Sequence, residues 1–274
     1  MRLAGKVAIV TGTSPNIGGA IAEGMAAEGA KLVCVDRRAE NAEQCAAGIK
    51  AAGGEALSVV CDVTDEAAVA AMVASASERF GAVDILVNNA VRFNQKGLLE
   101  MPLSDWREQL AVILDGAFLC SQQAGRVMVE QGRGGVIINI ASTAAHQGQP
   151  GNIGYCTGKS GILNFTRAAA MDLVAYGIRV NSLTPTATDT DEAGDRAAAW
   201  GRERGPSHAA AMEHFRRAIP GGRLPSPKHY AKAAVFLASE DAEMITGFDL
   251  RVDGGAVAKY WPWMPELSKI RPEA

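Results

Sequence analysis

A chain of 274 residues with 48% apolar side chains is long enough to bury one large α/β core. Its formal charge of −3, with both signs scattered along the chain, leaves no basic stripe for nucleic acid. The opening MRLAGKVAIVTG holds too short an apolar run for a signal peptide or membrane span, and Cys34, Cys45, Cys61, Cys120 and Cys156 form no C-x-x-C pair, so a reduced, cytoplasmic protein without structural disulfides or bound metal is expected.

Residues 6–10, KVAIV, are a short β-branched run that closes on Thr11-Gly12 and predicts a buried strand. TSPNIGGAIAEGMAAEGA follows as a turn and an Ala-rich helix, and residues 32–35 as a second buried strand ending at Asp36. Strand, glycine-bearing turn, helix, strand and acidic residue is the order of a dinucleotide-binding βαβ unit. Its backbone N–H groups and helix N-terminus face a pyrophosphate, and its carboxylate accepts from ribose hydroxyls. Asp36, eighteen residues after Gly18, stands where that carboxylate belongs. The alternation continues with a helix over 39–53, a strand over 56–61 ending at Asp62, a helix capped by Thr64 that runs to Phe80, and a strand over 85–87 leading into Asn88-Asn89-Ala90. A long helix is predicted over 106–131, a strand over 136–140, a helix over 153–176, and a strand over 179–183 broken by Pro185. Continuous apolar strands alternating with helices predict a Rossmann-type, doubly wound parallel sheet covered on both faces, in one domain spanning 1–274. Residues 186–223, beyond the sixth strand, lie where open α/β sheets bind ligands and are expected to act as a lid. The tail over 259–274 carries Trp261 and Trp263 among prolines and is expected to pack on this subunit or a neighbour.

Chemistry concentrates between Ser142 and Lys159. Tyr155 and Lys159 are four residues apart and share one face of the predicted helix. An ammonium beside a phenol favours the phenolate and lowers the Tyr pKa, so that Tyr155 can exchange a proton with a substrate hydroxyl or carbonyl at neutral pH. Ser142 can hydrogen-bond the same oxygen.

These pieces, in this order, resemble the short-chain dehydrogenase/reductase family along nearly the whole chain. The matches are TGTSPNIG beside the family's TGxxxGxG, Asp62-Val63, Asn88-Asn89-Ala90, Ser142, YCTGK, Asn181, Pro185 and ITGFDLRVDGG. The resemblance implies an oxidoreductase that interconverts a secondary alcohol and a ketone, or a lactol and a lactone, by hydride transfer. Tyr155 is then the general acid/base and Ser142 holds the substrate oxygen, while Lys159 lowers the Tyr pKa and binds the nicotinamide ribose. The nucleotide site it implies comprises Gly12, Ser14, Asn16, Ile17, Gly18, Asp36, Arg37, Asp62, Val63, Asn89, Ala90, Pro185, Thr188 and Thr190, together with Tyr155 and Lys159. Asp36 repels a 2′-phosphate and Pro15 leaves the glycine turn without a basic residue, so NAD is expected over NADP, although Arg37 and Arg38 would suit phosphate. A homotetramer, or a dimer, is implied through the helices over 106–131 and 153–176 and the segment after Phe248. The expected partner is a small hydroxy or keto compound such as a sugar or cyclic polyol, with no nucleic acid, membrane or metal. Hydroxysteroids, aromatic alcohols and 3-oxoacyl compounds compete as substrates, and a non-catalytic NAD-binding sensor competes as a function.

Three departures from the family pattern stand out. Asn16 replaces the middle glycine of the turn and is expected to take the left-handed backbone in its place. Val91 replaces the glycine of NNAG and is expected to add bulk near the cofactor. Ile113 stands where the family has a helix asparagine that helps hold a proton-relaying water. Arg92, Asn94, His146 and Asn152 are the candidates for substrate contact, with a surface salt bridge favoured for Arg92, whereas His208, His214 and His229 are expected at solvated positions.

Overall fold

The computed structural model describes residues 1–190 and 195–259, so the expectation for Trp261 and Trp263 lies outside the described residues. Seven parallel strands form one sheet: β1 (Val7–Thr11), β2 (Lys31–Asp36), β3 (Ala56–Val60), β4 (Ile85–Asn88), β5 (Gly135–Ile140), β6 (Ile178–Pro185) and β7 (Asp249–Val252). They lie in the order β3-β2-β1-β4-β5-β6-β7, so the chain reverses direction across the sheet between β1 and β4. That reversal opens a crevice at the strands' C-terminal ends, the place where such sheets take ligands.

Strand residues divide by parity between two cores. Ala8 and Val10, Leu32 and Cys34, and Val136 and Ile138 face α1 (Ile17–Ala27), α2 (Ala39–Ala51) and α9 (Pro227–Ala238). Ile9, Val33, Val35 and Ile137 face α3 (Glu66–Phe80), α5 (Gly116–Gln131) and α6 (Ile153–Leu173). Because both sides of the sheet are covered, its strands read as unbroken apolar runs. The expected single helix over 106–131 is instead α4 (Leu103–Leu110), a π-helical turn over Ala111–Asp115, and α5. Helix α3 is capped by Asp65, whose carboxylate accepts from Ala67 N and Ala68 N, and not by Thr64. The Thr64 hydroxyl donates to Asp62 Oδ1 at 2.7 Å, which spends it before it can cap. Between β6 and α9 the described residues form α7 (Asp195–Arg202) and α8 (Pro206–Ala218), within the segment expected as a lid.

Candidate active site

The glycine turn after β1 is built for close backbone approach. Gly12 has φ +70°, a conformation that costs glycine little. A Cβ on Gly18 would run into the Gly12 carbonyl oxygen and the Asn89 side-chain amide, and one on Gly19 would sit 2.6 Å from Ser14 O. Asn16 does not take up the left-handed backbone expected of it: its φ is −140°, and within the turn it is Gly12 that carries the positive φ. Asn89 holds the turn from beneath, its Nδ2 donating to Thr11 O at 3.1 Å and Gly12 O at 2.8 Å. The backbone N–H groups of Asn89 and Ala90 both donate to Thr11 Oγ1. Ser14 and Ile17 flank the turn half-buried. A cradle with no room for side chains, ending on the N-terminus of an eleven-residue helix, fits the pyrophosphate of a dinucleotide.

Asp36 closes β2 with its side chain buried, and its Oδ1 accepts from Arg38 N at 3.0 Å. Arg37 and Arg38 are exposed beside it. Asp62 is exposed, and the Thr64 backbone and side chain hold its carboxyl below the usual carboxylate range. Val63 is buried against Gly116, turned toward the floor below the site. Pro185 ends β6 and is buried; Thr188 donates to Thr186 O at 3.0 Å and Thr190 is buried.

Ser142 follows β5 and caps a short 3₁₀ turn, its Oγ accepting from Ala144 N at 3.1 Å. Tyr155 and Lys159 project from one face of α6, with the Lys159 ammonium 5.8 Å from the centre of the Tyr155 ring. Burial pushes the Lys159 ammonium down to about 8. The expected lowering of the Tyr155 pKa is not what this arrangement produces. Burial pushes the Tyr155 phenol up, and a hydrogen bond with Ser142 only partly offsets it. Lys159 Nζ donates to Ile140 O at 2.6 Å, on the strand below.

The π-helical turn brings Ile113 into the space under this pair. Ile113 is buried, and its side-chain atoms lie 3.0–3.3 Å from where a Gly158 Cβ would stand. Leu114 meets Gly161 in the same way, so the two glycines of α6 let the helices approach closely. Ile113, Gly116, Ala117 and Ile162 thus form the apolar side of a narrow pocket whose polar side is Thr11, Asn88 and Lys159. Below it, Asn88 Nδ2 donates to Ser121 Oγ and Asn139 Oδ1, each at 2.9 Å, and Asn139 Nδ2 donates to Thr166 Oγ1 at 3.0 Å. This ladder ties β4, β5, α5 and α6 together beneath the reacting groups. Asn139, inside the apolar run VIINI, is the sequence signal that would have found it.

The residues expected near substrate are engaged with protein. Arg92 forms an ion pair with Glu108 at 3.2 Å, and Asn94 Nδ2 donates to Asp105 Oδ2 at 2.7 Å. His146 Nε2 lies 3.1 Å from Asp249 Oδ2, which moors the loop after Ser142 to β7. Asn152 is buried at the start of α6, and its Oδ1 has no hydrogen-bond partner among the described residues. Val91 is exposed. His229 is not a bystander in solvent: Ser226 N donates to its Nδ1 at 3.0 Å, capping α9. Phe93, absent from the expected site, lies edge-on to Tyr155, ring centres 5.0 Å apart and planes at 82°.

A family model described as enoyl-(acyl carrier protein) reductase matches residues 12–257. D-threitol dehydrogenase from Mycolicibacterium smegmatis is 41% identical over 258 residues, covering 94% of this chain and 95% of that protein. Galactitol 2-dehydrogenase from Agrobacterium fabrum is 37% identical, over 93% of this chain and 98% of its own length. The crystal structure of a short-chain type dehydrogenase/reductase from Mycobacterium marinum superposes with a TM-score of 0.84 at 32% identity, covering 94% of this chain and 97% of that one.

Proposed function

From the chain's membership of the short-chain dehydrogenase/reductase family, as an alcohol dehydrogenase that acts on CH–OH groups with a nicotinamide cofactor, we propose that it oxidises a secondary alcohol of a small sugar or polyol with NAD. The observation that carries this reading is the convergence of Ser142, Tyr155 and Lys159 beside the glycine cradle. The names of the relatives, which include threitol and galactitol dehydrogenases, supply the substrate class.

The bound nicotinamide supplies the hydride acceptor. Ser142 Oγ orients the substrate hydroxyl and Tyr155 Oη takes its proton, as a general base must. Lys159 puts a positive charge beside the phenolate that accepts the proton, and its burial keeps that charge from being screened by water. The chain is read as a single domain, with the described residues within 186–223 serving as its lid. Within them α8 is moored to the loop after β6 by Arg216, which donates to Asp189 Oδ2 at 2.8 Å.

Asp36 decides the nucleotide. A buried carboxylate at the end of β2 accepts from a free ribose diol and repels a 2′-phosphate. The expected kcat/KM is higher with NAD than with NADP, and Asp36→Ala narrows that ratio by weakening NAD. Steady-state kinetics with both nucleotides checks it, and a wild type that prefers NADP would sink the charge argument.

Assembly is read as a homotetramer. Phe118 on α5, Met171 on α6 and Phe248 just before β7 are apolar and exposed, on the helices and segment implied above. Light scattering at micromolar concentration is expected to give four times the chain mass. A species of one 28.6 kDa chain would contradict the assembly.

A further inference from the structure

The exposure of the segment after β4, VRFNQK, alternates residue by residue from Val91 to Lys96, as an extended segment's does. Alternate side chains of an extended segment point to opposite sides. Arg92, Asn94 and Lys96 form one side, and all three are taken up by acids of α4. Arg92 pairs with Glu108 at 3.2 Å, while Asn94 Nδ2 and Lys96 Nζ donate to the same Asp105 Oδ2 at 2.7 and 2.6 Å. Lys96 is also bridged to Asn152, just ahead of α6, so the far end of the segment is fixed relative to the helix that carries Tyr155. Phe93 belongs to the other side, and its ring meets the Tyr155 ring edge-on. Half of Phe93 remains exposed, so a core-packing role does not account for its placement.

We propose that Phe93 is a positioning residue for Tyr155, presented by the anchored 92–94–96 side of its segment and holding the phenol ring in the orientation from which it transfers the proton. This rests on the reading of Tyr155 as the acid/base. An edge-to-face pair fixes ring plane as well as distance, which an aliphatic residue at the same site would not do. The ring also shields one flank of Tyr155 from water. Among the described residues, the titratable groups facing Tyr155 are Lys159 and Cys156 on its own helix; the neighbouring segments after β4 and β5 offer Phe93 and Ser142, neither of them charged.

The test compares wild type, Phe93→Ala, Phe93→Tyr and Asp105→Asn. Tyr155 is titrated by tyrosinate absorbance, with each protein's Tyr155→Phe counterpart subtracted, and kcat and KM are measured with NAD on the best polyol substrate of the wild type. Phe93→Ala is expected to move the Tyr155 midpoint down, toward that of a free phenol, and to lower kcat by about three- to tenfold, the worth of one aromatic pair. KM for NAD and the melting temperature stay near wild type, because the lost side chain is half-exposed. Phe93→Tyr keeps the ring and restores both readouts to within about twofold, while Asp105→Asn, remote from the reacting atoms, shifts both in the direction of Phe93→Ala. An unmoved Tyr155 titration in Phe93→Ala overturns the proposal whatever the turnover. A wild type inactive on every polyol would overturn the proposed function instead and leave the titration to decide the role of Phe93.

Discussion

Tyr155→Phe is expected to cut turnover by roughly 10²–10⁴-fold, the contribution of a positioned general acid/base. The substitution keeps the ring, its edge contact with Phe93 and the neighbouring Lys159, and removes only the oxygen that carries the proton. Nucleotide affinity by calorimetry is expected to change little. The same oxygen sets the pH dependence of the wild type. Burial raises the Tyr155 pKa, so the base form is scarce at neutral pH and alcohol oxidation climbs as pH rises toward that value. Ketone reduction uses the phenol already present and falls over the same range. A Phe variant retaining most of the wild-type turnover, or an oxidation rate that declines from neutral to alkaline pH, would show that another group moves the proton.

Gly18→Ala is expected to damage fold and nucleotide site together. The new methyl group meets the Gly12 carbonyl oxygen and the Asn89 amide, so the turn must open and the 2.8 Å bond from Asn89 Nδ2 to Gly12 O must lengthen. Overpacking of this kind costs roughly 1–3 kcal/mol. Nucleotide affinity is expected to fall on the order of a hundredfold, about 2.8 kcal/mol, because the donors that would face the pyrophosphate are displaced. Gly148→Ala is the matched control, since a Cβ there meets nothing within 4 Å. Thermal unfolding and calorimetric titration with NAD measure both effects. If Gly18→Ala matched the control in both, the close-approach account of the turn would be wrong.

The sheet is legible in the sequence because a doubly covered strand advertises itself as an apolar run, and KVAIV, LVCV and VIINI are such runs. The Tyr155/Lys159 pair is legible because helical spacing is local. What is not legible depends on contacts distant in sequence. The π-helical turn at Ala111–Asp115 leaves the 3.6-residue pattern of its neighbours almost unchanged, so 106–131 reads as one helix. That Lys159 donates to Ile140 O, and that burial dominates at Tyr155, requires knowing what packs around α6. Asn94 looks free in sequence and is instead bound to α4, Arg92 makes the salt bridge that competes with substrate contact, and Phe93 between them meets the Tyr155 ring. The capping duties of Asp65 and His229 are likewise choices among neighbouring polar residues that only the backbone geometry resolves.

The strand order has a consequence for how the protein is made. Strand β1 is synthesised before the other six strands, yet it finishes between β2 and β4. Until residues 85–88 emerge, a nascent chain can pair β1 on one side only. Its other edge, with Ala8, Ile9 and Val10, then stands open to any passing strand, and the helices α5, α6 and α9 that later cover both faces do not yet exist. A chain cut short between β3 and β4 therefore carries an open strand edge that the finished sheet covers with β4.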